Sequence, residues 1–335
     1  MGFIFSDSDK AFMREAIALA WRSAGHTRPN PPVGAVVVKD GKIIGRGRHI
    51  KCGAPRAEAA ALSDCNESPE GATVYCTLEP CSKVGRVGAC TDALIASKVA
   101  RVVWACNDPN PVNAGKALEI FKSNGIESEF GLLEEEALEL IKPFSKHVLT
   151  DLPFVTVKLA MSLDGKICDN TGEAKWISCP QARNKTGRLR ETCDAIMVGA
   201  NTVRCDNPSL LSHGEPNDDL LRIVITESSN LPPSSQIFTD EAKDRTIVIK
   251  PSDFGSLRDV LKSLGEKGIM HILCEGGLKL ARSLYDEGLV DEWISVIAPI
   301  VIGDKPIQTA KEGSIINSST VENNIITRWK ICSRD

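Results

Sequence analysis

The string "TLEPC" at residues 77–81 sets Cys81 directly after a strand-like run and a proline, and Cys90 follows across "SKVGRVGA". Upstream, "APRAE" at residues 54–58 opens a helix-forming stretch, "AEAAAL", with Glu58 in its first turn. These residue types in this arrangement look like part of a zinc centre of the nucleobase-deaminase type. Such a centre needs three protein ligands, an open fourth position for water, and a carboxylate, itself not a ligand, to shuttle protons. A thiolate gains from placement at a helix N-terminus, where the dipole favours negative charge. The expected metal-ligating imidazole two residues before Glu58 is replaced by Arg56. A guanidinium stays protonated and offers no free lone pair, so it cannot coordinate zinc. Two arrangements are open. His49 or Cys52 moves in as a third ligand beside Cys81 and Cys90, or Arg56 forms an ion pair with Glu58 or a thiolate, so that a positive charge stands in for the metal and the site is catalytically silent.

The elements around these residues read as strands and helices in alternation. Residues 8–24 carry an apolar helical face behind Ser or Asp caps. "VGAVVVKDGKIIGRG" is a pair of strands about the hairpin signal Asp40-Gly41. "ATVYCTL" and "RVVWAC" are buried-strand patterns, with helices over "TDALIAS" and "GKALEIFKSNG". An acidic helix, "LLEEEALELIKPFSKHVL", leads to a boundary near residue 148, giving an N-terminal domain over 1–147 and a C-terminal domain over 148–335. Alternation then restarts. Strands are expected at "FVTVKLAM", "CDAIMVGA", "LRIVITE", "RTIVIK", "HILCEGG" and "EWISVIAPIV", and helices at "CPQARNKTGRLRE", "GSLRDVLKSLGEKG" and "LKLARSLYDEG". This is the pattern of α/β layers with parallel pairings. Residues 206–220 read as a polar loop of the kind that meets substrates.

Composition narrows the class. The chain has 335 residues, 42% hydrophobic and 25% charged, values of a globular protein. A net charge of −4 argues against non-specific nucleic-acid binding. There is no signal-peptide pattern and no apolar run long enough to span a membrane. The 12 cysteines are spread irregularly, which fits a reducing, cytoplasmic setting better than a disulfide framework.

In order along the chain stand "PNPPVGAVVV", "AEAAAL", "YCTLEPCSKVGRVGAC", "DPNPVNAGKALE", "KLAMSLDGKI", "CDAIMVGANTV", "DNPSL", "CEGGLKLARSL", "LVDEW" and "APIVIGD". The chain resembles the bifunctional riboflavin-biosynthesis deaminase–reductases over about residues 8–335. The resemblance implies a cytidine-deaminase-like three-layer domain joined to a dihydrofolate-reductase-like domain. It implies deamination of a diaminopyrimidinone ribosylamino phosphate, followed by NADPH-dependent reduction of the ribosyl group to ribityl. Zn2+ would serve the first step, small phosphorylated pyrimidines would be the partners, and a homo-oligomer is expected. Cys81, Cys90 and Glu58 carry over to the metal site, and Asn30 and His49 to the substrate. The departures are Arg56 for the ligand histidine, Lys83 in "PCSK" where the family has histidine, and "GRVGAC" for "GRTPPC". They leave the zinc triad incomplete.

The second half has no G-x-G-x-x-G dinucleotide fingerprint. Instead Gly276-Gly277 lies between a strand end and a helix start, where backbone N–H groups can approach phosphate. By the resemblance, Gly276, Gly277, Leu278 and Ser283 line NADPH together with Ala160, Trp176, Thr202 and Asp206. Arg190 and Leu210 match substrate positions, and the planar fork of Arg190 suits a phosphate. Glu275 is expected to orient the ribose, and Lys158 to polarise its oxygen as the ring opens. Ala174 replaces a family serine at a substrate position. His213 replaces an arginine and could grip phosphate when protonated.

Overall fold

The computed structural model describes residues 4–82, 88–172, 177–212, 217–228, 230–304, 311–321 and 324–331. Lys83, Ala174, Trp176 and His213, singled out above, lie outside them. The chain divides into two compact units, Met1–Phe154 with Lys262–His271, and Val155–Leu261 with Ile272–Asp335.

The first unit opens with helix α1 (Asp7–Trp21), whose capping box joins Ser6 and Asp9. Strands β1 (Gly34–Lys39) and β2 (Lys42–Arg48) form the expected hairpin, turning at Asp40-Gly41 with positive φ at both residues. Helix α2 (Ala57–Ser63), β3 (Thr73–Leu78), α3 (Cys90–Ala96), β4 (Arg101–Cys106), α4 (Lys116–Ser123), β5 (Glu127–Phe130) and α5 (Glu134–Thr150) follow. The five strands run β2-β1-β3-β4-β5; β1 is antiparallel to both neighbours, and β3, β4 and β5 are mutually parallel in sequence of pairing. Central strands are covered on both faces, so Ala35, Val36, Val37, Val102 and Val103 are wholly buried. Gly47 on β2 is required by close approach. A Cβ there would lie 2.2 Å from the Ala57 carbonyl oxygen, so α2 rests directly on the strand. Helix α5 continues to Thr150, which puts the expected boundary near 148 inside its last turn.

A polar cluster ties α1 to the sheet. Asp9 accepts a 2.6 Å bond from the Tyr75 hydroxyl and a 2.9 Å bond from Arg101, which also pairs with Glu129. Burial alone would raise the Asp9 carboxyl, but hydrogen bonds from Ser6, Tyr75 and Arg101 hold it far below the carboxylate range.

After α5 the chain continues with β6 (Phe154–Met161), α6 (Pro180–Gly187), β7 (Ala195–Gly199), α7 (Ala200–Asp206), β8 (Leu221–Ile225), α8 (Gln236–Thr239) and β9 (Thr246–Ile249), then α9 (Leu257–Glu266), whose second half belongs to the first unit, and β10 (His271–Cys274), α10 (Leu278–Asp286), β11 (Glu292–Ile297), β12 (Ile300–Val301), β13 (Lys311–Val321) and β14 (Asn324–Ile331) of the second. Six strands run β11-β6-β10-β7-β8-β9, and the pairs β11–β6, β10–β7, β7–β8 and β8–β9 are parallel. A separate antiparallel set runs β12-β13-β14. The helix expected over residues 179–191 is split, its last residues Arg188–Glu191 forming a tighter 3-10 turn. The strand expected over residues 292–301 is interrupted at Ala298-Pro299, because proline cannot donate to a ladder. On β8, Arg222 is wholly buried and grips Asp240 through two bonds of 2.6 and 2.8 Å, anchoring the segment after α8. Among the described residues no helix is long and apolar enough to cross a membrane.

The Asp9 carboxylate is held ionised by folding, so its contribution to stability is present above its unfolded pKa of about 3.9 and fades as pH falls through the lower folded value. Asp9→Asn is expected to destabilise the protein by about 1–3 kcal/mol at pH 7. The deficit against the unmodified chain should narrow on acidification below about pH 4. Thermal melts of both proteins at pH 7 and in the acid range measure this.

Candidate functional sites

In the first unit the candidate residues converge at the starts of α2 and α3. Arg56 is the residue capping α2 and makes no side-chain capping bond. Glu58, in the first turn, is 3% exposed, and burial pushes its carboxyl upward. Cys90 is the first residue of α3; its backbone N–H reaches the Cys81 sulfur at 3.4 Å, and the two sulfurs lie 2.9 Å apart. The hydrogen bond from Cys90 is the main reason the Cys81 thiol falls to about 7. The same bond, with burial, pushes Cys90 upward. The expected direct ion pair between Arg56 and Glu58 is not formed. Arg56 acts through space, favouring the charged forms of Glu58 and Cys81.

His49 is 1% exposed and both its ring nitrogens are engaged. Nδ1 lies 3.0 Å from the Pro55 carbonyl oxygen, which can only accept, so Nδ1 carries the proton. Nε2 therefore accepts from the Asn30 amide at 3.1 Å. Burial lowers the His49 pKa, in keeping with this neutral ring. His49 could ligate through Nε2 only by giving up the Asn30 bond, and Cys52 is exposed. Among the described residues no three of His, Cys, Asp and Glu are grouped to hold a metal. Residues 83–87, "KVGRV", contain none of these types. The donor set beside Cys81 and Cys90 therefore does not fit a zinc tripod.

Sequence reasoning passed over the residues that brace this site. Glu79, 2% exposed, accepts from the backbone N–H groups of Asp108, Gly115 and Ala117 at 3.2, 3.0 and 3.1 Å. Asn113 accepts from both the backbone N–H and the hydroxyl of Ser82, at 2.8 and 3.1 Å, and donates to Asp108. The loop after β4 is thus fastened to the turn bearing Cys81. The signal was present, since Glu79 lies inside "TLEPCS" and Asn113 inside "DPNPVNAG".

In the second unit, the carboxyl ends of β7, β8, β9 and β10 border a cavity of about 930 Å3. Thr202, Gly277, Leu278 and Ser283 line it, as expected for cofactor residues. Gly276 is forced by the fold: a Cβ would lie 2.7 Å from the Gly199 nitrogen and 2.9 Å from the Val198 Cα. Gly277 donates its N–H to the Thr202 hydroxyl at 3.3 Å and leads into α10, whose first residues face the cavity. Open backbone at a helix start, in a cavity of this size, fits a dinucleotide pyrophosphate. Asp206 ends α7. Lys158 and Ala160 share one face of β6, opposite the buried Val157 and Leu159.

Glu275 continues β10, its N–H bonding the Met197 carbonyl at 3.0 Å. Its carboxylate meets Arg190, with Nη2–Oε2 at 2.6 Å and Nε–Oε1 at 3.4 Å, while Arg190 Nη1 donates to the Leu211 carbonyl at 2.8 Å. Both side chains are 11% exposed. Two residues given separate roles above are one unit, and the fork of Arg190 is aimed by Glu275. Asn217, 5% exposed and unforeseen, holds the turn after α6 by donating to the Arg190, Glu191 and Cys193 carbonyls. Leu210 is 2% exposed at φ +57° and packs in the core with Ile196, Val198 and Leu273, so its side chain is a packing element.

A deaminase-type α/β unit followed by a parallel-sheet unit with a cofactor-sized cavity defines a deaminase–reductase. The zinc-binding region of cytidine and deoxycytidylate deaminases matches residues 6–106, and the RibD C-terminal domain matches residues 153–330. The riboflavin biosynthesis protein RibD of Aquifex aeolicus is 39% identical over 339 residues, spanning 94% of this chain and 95% of its own. The structure of Acinetobacter baumannii RibD aligns over 97% of this chain and 99% of its own, with 34% identity and a TM-score of 0.80. The diaminohydroxyphosphoribosylaminopyrimidine deaminase/5-amino-6-(5-phosphoribosylamino)uracil reductase of Thermotoga maritima does so over the same shares, with 33% identity and a TM-score of 0.82. The chain belongs to the RibD family of bifunctional riboflavin-biosynthesis enzymes, in which the reductase domain uses NADPH and the deaminase domain is of the zinc-binding type.

The guanidinium at position 56 is expected to keep the first unit from holding zinc tightly. Elemental analysis of the purified protein should show well under one equivalent of zinc. Arg56→His should bring it to about one, since three nitrogen and sulfur ligands complete a catalytic tripod.

Proposed function

We propose that the chain reduces 5-amino-6-(5-phosphoribosylamino)uracil to its ribityl counterpart at the expense of NADPH, and that its N-terminal domain keeps the deaminase fold without the deaminase activity. The observation that carries the reductase reading is the Arg190–Glu275 unit at the end of β10, one residue before the Gly276-Gly277 turn that borders the cavity. The silent deaminase rests on Arg56 and on the engagement of His49 Nε2 by Asn30.

NADPH, when bound, supplies the hydride. The chain supplies position and charge. The opening turn of α10 presents its N–H groups to the pyrophosphate, while the Gly277 N–H is held by the Thr202 hydroxyl. Arg190, already aimed by Glu275, turns its guanidinium charge to the substrate phosphate without the reorganisation an unheld side chain would need. Glu275 accepts from a ribose hydroxyl at the same time as it holds Arg190. Lys158, on the open face of β6, donates toward the sugar oxygen as the ring opens.

The described cysteines are free thiols, which supports a cytoplasmic setting. Tyr285, Trp293 and Ile297 are exposed on α10 and the edge strand β11, which supports a homo-oligomer in which this face is covered.

Full-length protein mixed with NADPH and the uracil substrate should lose absorbance at the wavelength of the reduced nicotinamide; folded protein that oxidises no NADPH would refute the reductase. Offered the diaminopyrimidinone precursor, the same protein should release no ammonia. Glu275→Gln keeps the shape of the side chain and removes its charge. It should lower kcat/KM by roughly 10- to 100-fold, from the loss of charged hydrogen bonds.

A further inference from the structure

The cavity of the second unit has two ends. Its reacting end is assigned to the side of Gly277, which lines the cavity two residues after Glu275, the partner of Arg190. From β10 it extends past β7 to the ends of β8 and β9, where Thr226, Glu227, Ser228 and Ser252 form its wall. Neighbouring strands are about 4.8 Å apart, so the end of β8 is roughly 10 Å from the pyrophosphate turn. With nicotinamide at the reacting end, the adenosine ribose falls beside β8.

Arg204, from the last turn of α7, and Glu227, just after β8, line the cavity on this side, and Lys279 and Glu287 line it from α10 and its C-terminal end. Glu227 is committed: its two carboxylate oxygens accept from the Ser252 backbone N–H at 3.0 Å and from the Ser252 hydroxyl at 2.6 Å. Those two bonds from Ser252 fix the position of the Glu227 carboxylate at the end of β8. Arg204 is only partly committed. Nη1 donates to the Asn230 carbonyl at 3.0 Å, which holds the guanidinium beside the loop after β8, and no ion pair neutralises it among the described residues. Ser228 accepts the Asn230 N–H at 3.1 Å, which leaves its hydroxyl proton available.

We propose that Arg204 is the residue that selects NADPH over NADH, by clamping the adenosine 2′-phosphate with Ser228 as a second donor. This rests on the reading of the cavity as the NADPH site and names the group that distinguishes its two possible dinucleotides. A guanidinium held by one N–H still presents others in a rigid fork suited to phosphate.

Calorimetric titration of the full-length protein with NADP+ and NAD+ tests the assignment without reference to turnover. For Arg204→Ala, NADP+ should bind roughly 10- to 100-fold more weakly, the loss expected for charged hydrogen bonds. NAD+ affinity should stay within about twofold, and Arg204→Lys should recover part of the NADP+ affinity. If Arg204 served only to close α7 onto Asn230, both dinucleotides would weaken equally, and that outcome overturns the proposal. So does unchanged NADP+ affinity in a variant whose melting temperature matches the parent. Unmodified protein that binds neither dinucleotide would overturn the cofactor reading itself. Dinucleotide binding without reduction of the uracil substrate would leave the clamp standing and remove only the assigned reaction.

Discussion

Parallel strands deliver their carboxyl ends to one edge of a sheet, and the second unit is organised by that constraint. β10, β7, β8 and β9 each stop at the same edge, so Glu275–Gly277, Gly199–Thr202, Thr226–Ser228 and Pro251–Ser252 become neighbours although they are far apart in sequence. The tightness of the β10–β7 contact decides the rest. It leaves no room for a Cβ at residue 276, so the chain turns at once into α10 with its first amides open to the cavity. Glu275, one residue earlier, is thereby fixed well enough to aim Arg190.

The first unit shows the opposite relation between scaffold and chemistry. Its framework is complete: α2 is pressed onto β2, Glu58 is buried, Cys81 and Cys90 meet, and His49 is held in one tautomer by Asn30 and Pro55. Only the donor at position 56 is of the wrong chemical type. A cation placed next to two thiols and a carboxyl relieves the same excess of negative charge that a metal would, yet it supplies no Lewis acidity to water. The fold can therefore persist where the reaction does not, because charge balance and packing are separable from coordination.

Much of this was legible in the residues. The Asp40-Gly41 hairpin, the strands of the two larger sheets apart from β5, and the deaminase-type string around Cys81 follow from local patterns that tertiary packing reinforces. The splits at Gly187 and at Ala298-Pro299 were not foreseen, because periodicity continues through a 3-10 turn and through a proline break. The long hairpin of β13 and β14 escaped because "KEGSIINSSTVENNIITRWK" is polar and does not alternate cleanly. Arg190 and Glu275 were each visible, but their union across 85 positions belongs to the fold. The burial of Leu210 at positive φ, and the triple role of Asn217 as a clasp, likewise depend on contacts that no spacing rule encodes.

Glu79 joins three amides of one loop to a carboxylate that has almost no access to water. Releasing the loop would strand that carboxylate without donors in a poorly solvating interior, a state several kcal/mol uphill. The loop after β4 and the turn bearing Cys81 should accordingly open as one cooperative block, their amides exchanging with solvent together and slowly instead of fraying residue by residue. The clasp at Glu79 thus holds these loops without any contribution from a metal.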